Sequence, residues 1–541
     1  MGAEVWLVVA GLMMAAWMYS RWRHSYWSSR GVPTPPFLPF LGHMHKQISL
    51  FQFRWDYIDE VYYKNGGSKY CGLYELFRPV LMIGDPDLLK NIFVKDFDHF
   101  VDRRRILAED GSILNEMLSN KTGDEWKTLR DILTPTFTSG KMRSMFPIIC
   151  SKADDLVYFS LKEAAIKPFI DMNANFGRFT MDTIASCAFG IECNSFEKEE
   201  SEFAKRAGDF FEFSLLKVLI FTLFNMYPRV CSALGIKMEL SPVKFFRSVV
   251  EETIAARKSG QRRGDYLDLL LDARAGHEDI SAPYSLTSTH SQDATARDSP
   301  TVEHHTVIKE TPSSTDKVSL TQCKKMLTDK SIVAQCVLFL IAGYDTTASA
   351  LAFSSFLLAK YPIHQLHLRE EVQQMIEEHG DITYQGILEA KFLDACIMET
   401  LRLYPPGTFG ERLCTKTYKL PGTEVTLHPG DLVTIPFWSL HHDPRYWQHP
   451  DEFQPDRFLP ENKAKITGFT HMPFGIGPRN CIAMRFALME AKVALAKLVI
   501  ASELRLARGH EELKLTSSPF PLKADGGVNL VVIPLPAGKQ S

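Results

Sequence analysis

Cys481 stands between the run Phe474-Gly475-Ile476-Gly477-Pro478-Arg479-Asn480 and a stretch from Met484 onward whose apolar residues follow helical spacing. A cysteine delivered there, where a turn feeds a helix, has backbone N–H groups and the positive helix end near its sulfur, and both favour the thiolate. A thiolate is the form in which sulfur serves as a soft axial ligand to iron. Gly475 and Gly477 provide the φ freedom of a tight loop, Pro478 stiffens it, and Arg479 is placed to pair with an anionic group. The competing reading is a buried structural cysteine beside a turn.

A second cluster is Ala342-Gly343-Tyr344-Asp345-Thr346-Thr347, inside an apolar helical run that begins near Ser331. Glycine within a helix costs about 1 kcal/mol relative to alanine, and a buried acid costs more unless it is paired or shifts its pKa. Such a patch serves chemistry, or its threonines bond back to the preceding turn while Asp345 finds a salt bridge. A third is Glu399-Thr400-Leu401-Arg402, whose i,i+3 spacing puts acid and guanidinium on one helix face. It is followed by Pro405-Pro406 and, further on, by Pro455-Asp456-Arg457-Phe458. Taken alone, Glu-x-x-Arg belongs equally to any surface helix.

The elements that must position these residues are mostly helical. The chain has 541 residues, 45% of them hydrophobic and 11% aromatic, enough for one large core or a few smaller ones. A net charge of −3 gives no global bias toward nucleic acid. Ten cysteines lie scattered with no C-x-x-C pair, which argues against a zinc ribbon and fits a reducing compartment. Residues 69–85 read as strands of a small sheet, and about 86–400 as helices.

The N-terminus carries an apolar segment, Val5 to Tyr19, which with its flanks reaches the length of a membrane span. Arg21, Arg23, His24 and Arg30 follow it, an asymmetry that leaves the bulk of the chain in the cytoplasm. A cleaved signal peptide is the rival, opposed by the missing basic n-region. We therefore divide the chain into an anchor (1–22), a basic, proline-rich hinge (23–45) with four prolines from Pro33 to Pro39, and a globular domain (46–541). Residues 276–318, rich in Ser and Thr among Asp, His and Pro, read as a disordered insertion.

The loop before Cys481 resembles the haem-binding signature of the cytochrome P450 superfamily, Phe-x-x-Gly-x-Arg-x-Cys-x-Gly, at every fixed position but the last, where Ala483 replaces glycine. Ala342 to Thr347 is similar to that family's oxygen-activation helix. Glu399, Arg402 and Arg457 are similar to its Glu-Arg-Arg triad, and Trp126-Lys127-Thr128-Leu129-Arg130 to its Trp-x-x-x-Arg helix. Local wording at Pro135 to Lys141, Phe189-Gly190-Ile191, Glu411-Arg412 and Gly477 to Leu488 resembles the animal microsomal branch with vertebrate family 3 and arthropod families 6 and 9. The resemblance implies a mainly α fold with a smaller β-sheet region, behind an N-terminal membrane anchor helix.

It also implies haem b with Cys481 as axial iron ligand, and Arg479, Trp126, Arg130, Arg412 and Arg103 as contacts to the propionates. Arg104 and Arg105 compete with Arg103 for that register, and ordinary surface charge is its other reading. Gly343 would leave room for dioxygen, Thr346 would hold a water and Asp345 would relay protons. Glu399, Arg402 and Arg457 would clamp the chain before the haem loop. The implied activity is oxygenation of lipophilic substrates (xenobiotics, steroids or other lipids) by dioxygen, with NADPH electrons passed through cytochrome P450 reductase and cytochrome b5 as a further partner. The implied place is the endoplasmic reticulum membrane, with the catalytic domain on the cytoplasmic side and no nucleic-acid partner. Lys127, Lys141 and Arg143 are candidates for reductase docking, residues 210–226 for a second membrane contact, and 100–118, 406–410 and 518–521 for the pocket lining. Two rivals are an isomerase or synthase of the thromboxane-synthase type, opposed by the intact Asp345-Thr346 pair, and a non-catalytic haem protein that binds lipophilic ligands.

Overall fold

In a computed structural model of the chain, the described residues are 2–45, 54–104, 112–197, 202–211, 231, 234, 241–258, 260, 263, 265–275, 320–516 and 521–536. The expected insertion at 276–318, residues 212–226 of the second membrane contact, and 105–111 and 518–520 of the pocket lining lie outside them.

Helices dominate, and eight carry the argument: α1 (Gly2–Arg23), α2 (Gly123–Leu133), α3 (Ser139–Ala164), α4 (Met172–Phe189), α5 (Asp329–Lys360), α6 (Pro362–His379), α7 (Lys391–Leu403) and α8 (Met484–Ala501). The strands expected across 69–85 are β1 (Tyr70–Glu75) and β2 (Arg78–Ile83), an antiparallel hairpin. Two further short strands are β3 (Ile170–Asp171) and β4 (Gly410–Leu413). After them come β5 (Tyr418–Lys419), β6 (Thr426–Leu427), β7 (Leu432–Ile435), β8 (Ser502–Leu506) and β9 (Asn529–Pro534). The main sheet has the order β1-β2-β7-β4, with β7 parallel to β2 and β4 antiparallel to β7. β3-β9-β8 form a second sheet and β5-β6 a third.

Burial divides the interior into three apolar clusters. One joins α3, α4, the C-terminal half of α5 from Ala348, α7 and α8. A second joins α2 to the N-terminal half of α5, Ile332 to Ile341. The third packs Trp27, Tyr62 and Phe93 on the main sheet, including Leu81 and Val433. α5 starts cleanly because Thr328 caps it, its hydroxyl accepting from the Ser331 N–H. This long apolar helix would also pass a length-and-hydropathy test for a membrane span, but it is largely buried and is the central core helix.

Segment 23–45, expected to be a hinge, is packed on β1 instead. Trp27 is fully buried and donates its indole N–H to the Leu73 carbonyl, and the Tyr74 hydroxyl donates to the His24 carbonyl. His43 accepts from the Tyr74 N–H and stacks on the Tyr74 ring. The prolines stop helix formation, as read, but the aromatic residues between them have a sheet edge to bury against.

Glu399 and Arg402 of α7 are 0% exposed and form a two-point ion pair, Nε to Oε2 at 2.7 Å and Nη2 to Oε1 at 2.8 Å. Arg402 also donates to the carbonyls of His441, Pro450 and Glu452, while Arg457 Nε reaches Glu399 Oε1 at 3.3 Å. Losing Arg402 leaves the buried carboxylate with only Arg457 and the Gln454 N–H, both on Oε1, and removes the donor from three carbonyls. Arg402→Met should therefore lower stability by about 3–5 kcal/mol. Arg457→Ala should cost about 1 kcal/mol, because that side chain is partly solvated. Urea unfolding midpoints check the order; equal costs would show that Arg402 is not the main partner.

Candidate functional site

The Cys481 loop is shaped by its glycines. Gly475 (φ 68°) and Gly477 (φ 73°) adopt left-handed backbone, and a Cβ on Gly477 would lie 2.1 Å from the Phe93 carbonyl oxygen. The Cys481 N–H donates to the Phe474 carbonyl at 2.8 Å, closing the loop directly onto the start of α8. Cys481 is solvent-reachable, whereas the other nine cysteines are buried or partly buried. It still sits in a cleft crowded by protein atoms, which pushes its thiol pKa up. The Ala483 N–H and the Arg130 and Arg103 guanidiniums pull the other way.

Three arginines from separate elements converge on this loop and meet Arg479 within it. Arg103 donates through Nη2 to the Arg479 carbonyl at 2.5 Å. Arg104 instead pairs with Glu75 and Glu411 at 2.7 and 2.9 Å, which fixes the register between these two neighbours. Arg130 on α2 grips Asn480, Nη1 to its carbonyl at 3.0 Å and Nη2 to its Oδ1 at 2.8 Å. Arg479 lies 4.3 Å over the Trp126 ring, and Arg412 on β4 lies 4.6 Å over Phe93. Burial, with Arg103 and Arg130 as further causes, pushes Arg479 down to about 9 although Asp102 stands 3.8 Å away. Burial, then Arg103 and Arg479, push Arg412 well below its ordinary value. The Nε atoms of both Arg412 and Arg479 are buried without a hydrogen-bond partner.

This donor set fits haem. Buried guanidiniums that depress one another call for anionic partners, and two propionates supply them. Among the described residues no group of three His, Cys, Asp or Glu side chains could hold a bare metal ion.

The motif on α5 sits between the two helical clusters, after Ile341 of one and before Ala348 of the other. Ala342 is exposed and Thr346 half-buried, although the flanking turns are buried. Thr346 Oγ1 donates to the Ala342 carbonyl at 2.7 Å. Asp345 is buried and ion-paired to Lys523; burial raises its pKa and Lys523 lowers it. Both features match the back-bonding and salt-bridge alternative weighed for this motif, and neither prevents the pair from handling a proton. A Cβ on Gly343 would lie 2.6 Å from Ile184 Cδ1, so this glycine also serves the packing of α5 on α4.

A correction concerns the docking candidates. Lys141 is buried on α3, leaving Lys127 and Arg143 as the exposed basic residues. Three contributors escaped the sequence reading. Lys523 carries no local signal, since its partner Asp345 is distant in sequence. Asn480 was read as a loop residue, and its fork with Arg130 depends on tertiary placement. Glu490 on α8 is fully buried, with both carboxyl oxygens unpaired; burial pushes its pKa well up, with Thr347 the polar group beside it.

Comparison with known proteins bears on this arrangement. A family model described as Cytochrome P450 matches residues 32–296 and 301–525. Cytochrome P450 9e2 of Blattella germanica is 34% identical, covering 97% of this chain and 97% of its own. Cytochrome P450 3A41 of Mus musculus is 34% identical over 92% of this chain and 90% of its own. Cytochrome P450 6k1 of Blattella germanica is 31% identical over 97% and 96%.

The depression of Arg412 by burial and by Arg103 and Arg479 gives a two-sided expectation for Arg412→Met. The haem-free chain should unfold at a higher urea midpoint, because a buried like charge is removed. Haem should pass to excess apomyoglobin several-fold faster, because a propionate partner is lost. An unchanged transfer rate would exclude Arg412 from the propionate contacts.

Proposed function

Because this chain belongs to the cytochrome P450 family, we propose that it places one atom of dioxygen into an unactivated C–H bond of lipophilic substrates, using NADPH electrons delivered by cytochrome P450 reductase. The enzyme class is cytochrome P450 monooxygenase, and the cofactor is haem b, with dioxygen and NADPH as co-substrates. The observation that carries the reading is Cys481, solvent-reachable on a glycine-shaped loop at which four buried or half-buried arginines gather, two of them acting on its thiol. When bound, haem b supplies the redox chemistry at dioxygen.

The chain's own residues do the rest. Cys481 would hold the iron through its sulfur, and Arg103, Arg130, Arg412, Arg479 and Trp126 would hold the carboxylates of the macrocycle. Thr346, already donating to the Ala342 carbonyl, keeps oxygen lone pairs to hold a water. Asp345 holds a proton more firmly than an exposed aspartate because it is buried, and Lys523 restrains that rise. Releasing the carboxylate from Lys523 would let it turn toward that water. Lys127 and Arg143 offer a basic face to an acidic flavoprotein, with cytochrome b5 as an auxiliary partner. α1 anchors the enzyme in the endoplasmic reticulum membrane with the catalytic domain on the cytoplasmic side.

The first test is spectroscopic: membranes carrying the reduced protein should show the thiolate-type Soret band with carbon monoxide, and Cys481→His should abolish it. With reductase and a lipophilic substrate, Thr346→Ala should divert NADPH from product to hydrogen peroxide; unchanged coupling would remove Thr346 from proton handling. Lys523 yields a pH expectation. Since its ammonium lowers the Asp345 pKa, Lys523→Met should let that acid keep its proton to higher pH. The limb of the kcat–pH profile set by Asp345 should then move upward, and a static profile would show that Asp345 does not govern it.

A further inference from the structure

A buried amide on α5 holds a stretch of backbone that lies outside the main helices and sheets. Gln335 is 0% exposed on the apolar N-terminal half of that helix. Its Oε1 accepts from the Leu118 N–H at 2.8 Å, and its Nε2 donates to the Glu116 carbonyl at 2.7 Å and to the Ser331 carbonyl at 3.1 Å. The side chain thus makes a two-point clamp on the backbone to either side of Met117. Reversing the amide would set donor against donor and acceptor against acceptor, so its orientation is fixed. A leucine of similar bulk would suit the apolar surroundings, but it would strip a buried N–H and a buried C=O of that partner.

The clamped stretch is short and tied down at both ends. A 3-10 turn over Ile113–Glu116 begins at Ser112, whose hydroxyl accepts from the Leu114 N–H at 3.3 Å. Asn120, also buried, donates through Nδ2 to the Leu114 carbonyl at 2.8 Å and closes the loop on itself. Just beyond, Arg479 of the Cys481 loop donates through Nη2 to the Lys121 carbonyl at 2.5 Å. Ile113, Leu114, Met117 and Leu118 share an apolar cluster with Trp126, and Ile482, the neighbour of Cys481, packs against it. On α5, Gln335, Phe339, Ala342 and Thr346 recur at four, three and four residues, so they lie along one face of the helix. The loop that Gln335 clamps therefore rests on the face of α5 that carries Thr346, with the Trp126 and Arg479 side of the cleft next to it.

We propose that Gln335 is a specificity-positioning residue: by clamping residues 116–118 to α5 it fixes 113–118 as a preformed wall of the substrate pocket, and with it the fit of bulky lipophilic molecules. The inference rests on the reading of the chain as a haem monooxygenase with a pocket beside Thr346. Apolar contacts alone let a loop slide, whereas a donor and an acceptor on one rigid amide set its register. A wall that is already ordered spares the ligand the cost of ordering it. The effect should fall on molecules large enough to reach the wall and pass over those that meet only the iron.

The test uses the full-length haem-loaded protein in detergent micelles and two probes, imidazole and clotrimazole, the second an imidazole that carries a bulky triaryl group; both are read by the shift of the Soret band. Gln335→Leu should weaken clotrimazole several-fold and leave imidazole affinity unchanged. In the same variant, backbone amide exchange in the peptide containing Leu118 should quicken several-fold, while peptides of α8 keep their protection. Unchanged or tighter clotrimazole binding would overturn the proposal. Equal weakening of both probes would overturn it too, assigning Gln335 to the fold or to haem retention alone. Asn120→Ala loosens the same loop away from α5 and covers the case in which Gln335→Leu does not fold. It should weaken clotrimazole and spare imidazole, and an unchanged ratio of the two affinities would show that 113–118 is not a pocket wall. If the unmutated protein gives no Soret shift with imidazole, the haem reading itself fails, and amide exchange at Leu118 still decides the clamp.

Discussion

A carboxylate with no solvent contact, Glu399, is the point from which the thiol is held in place. Its partner Arg402 takes the His441 carbonyl at 2.9 Å, and the His441 ring nitrogen in turn accepts from the Met472 N–H at 2.9 Å. Met472 offers its carbonyl to the Gly475 N–H, and Phe474 offers its own to the Cys481 N–H. Burial keeps His441 neutral, pushing its pKa well below the usual value, and only a neutral ring can accept at that nitrogen. One buried ion pair therefore fixes, through four hydrogen bonds, the backbone that carries a sulfur on another element. This explains why the fold tolerates a desolvated pair whose net contribution to stability is small.

The second organising feature is where the apolar clusters stop. α5 passes from one cluster to the other between Ile341 and Ala348, and the intervening residues are Ala342 to Thr347. The start of α8 lies at the same boundary: Leu488 onward belongs to the first cluster, Phe486 packs against both, and Ile482 just before the helix packs against the second. The loop itself touches the third cluster through Ile476, with Phe93 and β4 supporting Arg412 from that side. The candidate chemistry occupies the seam where three separately packed regions meet. Each region is stable for its own reasons, and the polar side chains at the seam are positioned by rigid neighbours.

What the sequence made legible follows the range of the interactions. The Cys481 loop could be read because its conformation is local: two left-handed glycines and a proline have to be adjacent in the chain. The i,i+3 spacing of Glu399 and Arg402 was visible for the same reason. Long-range geometry was not. Arg103 and Arg104 are equivalent as letters, and only the acids on β1 and β4 separate them. Lys141 reads as surface charge and is buried; segment 23–45 reads as a free connector and is covered by aromatic packing. Each difference arises where a partner far along the chain supplies the burial that composition alone could not reveal.

Buried like charges gathered at the seam distinguish a functional arrangement from a structural one. Elsewhere, buried opposite charges have each other: Arg257 with Asp265 at 2.6 Å, Arg402 with Glu399. At the seam, Arg412 and Arg479 keep unpartnered Nε atoms among like charges, and on the facing helices Asp345 and Glu490 are acids that burial raises. Leaving buried polar groups unsatisfied costs free energy that packing does not return. The signs are also segregated, guanidiniums on the Cys481 side and protonatable acids along α5 and α8. A dianionic ligand answers the first set and a proton requirement answers the second. A purely structural role for this seam would need neither, and replacing these groups by apolar residues would have made the haem-free fold more stable.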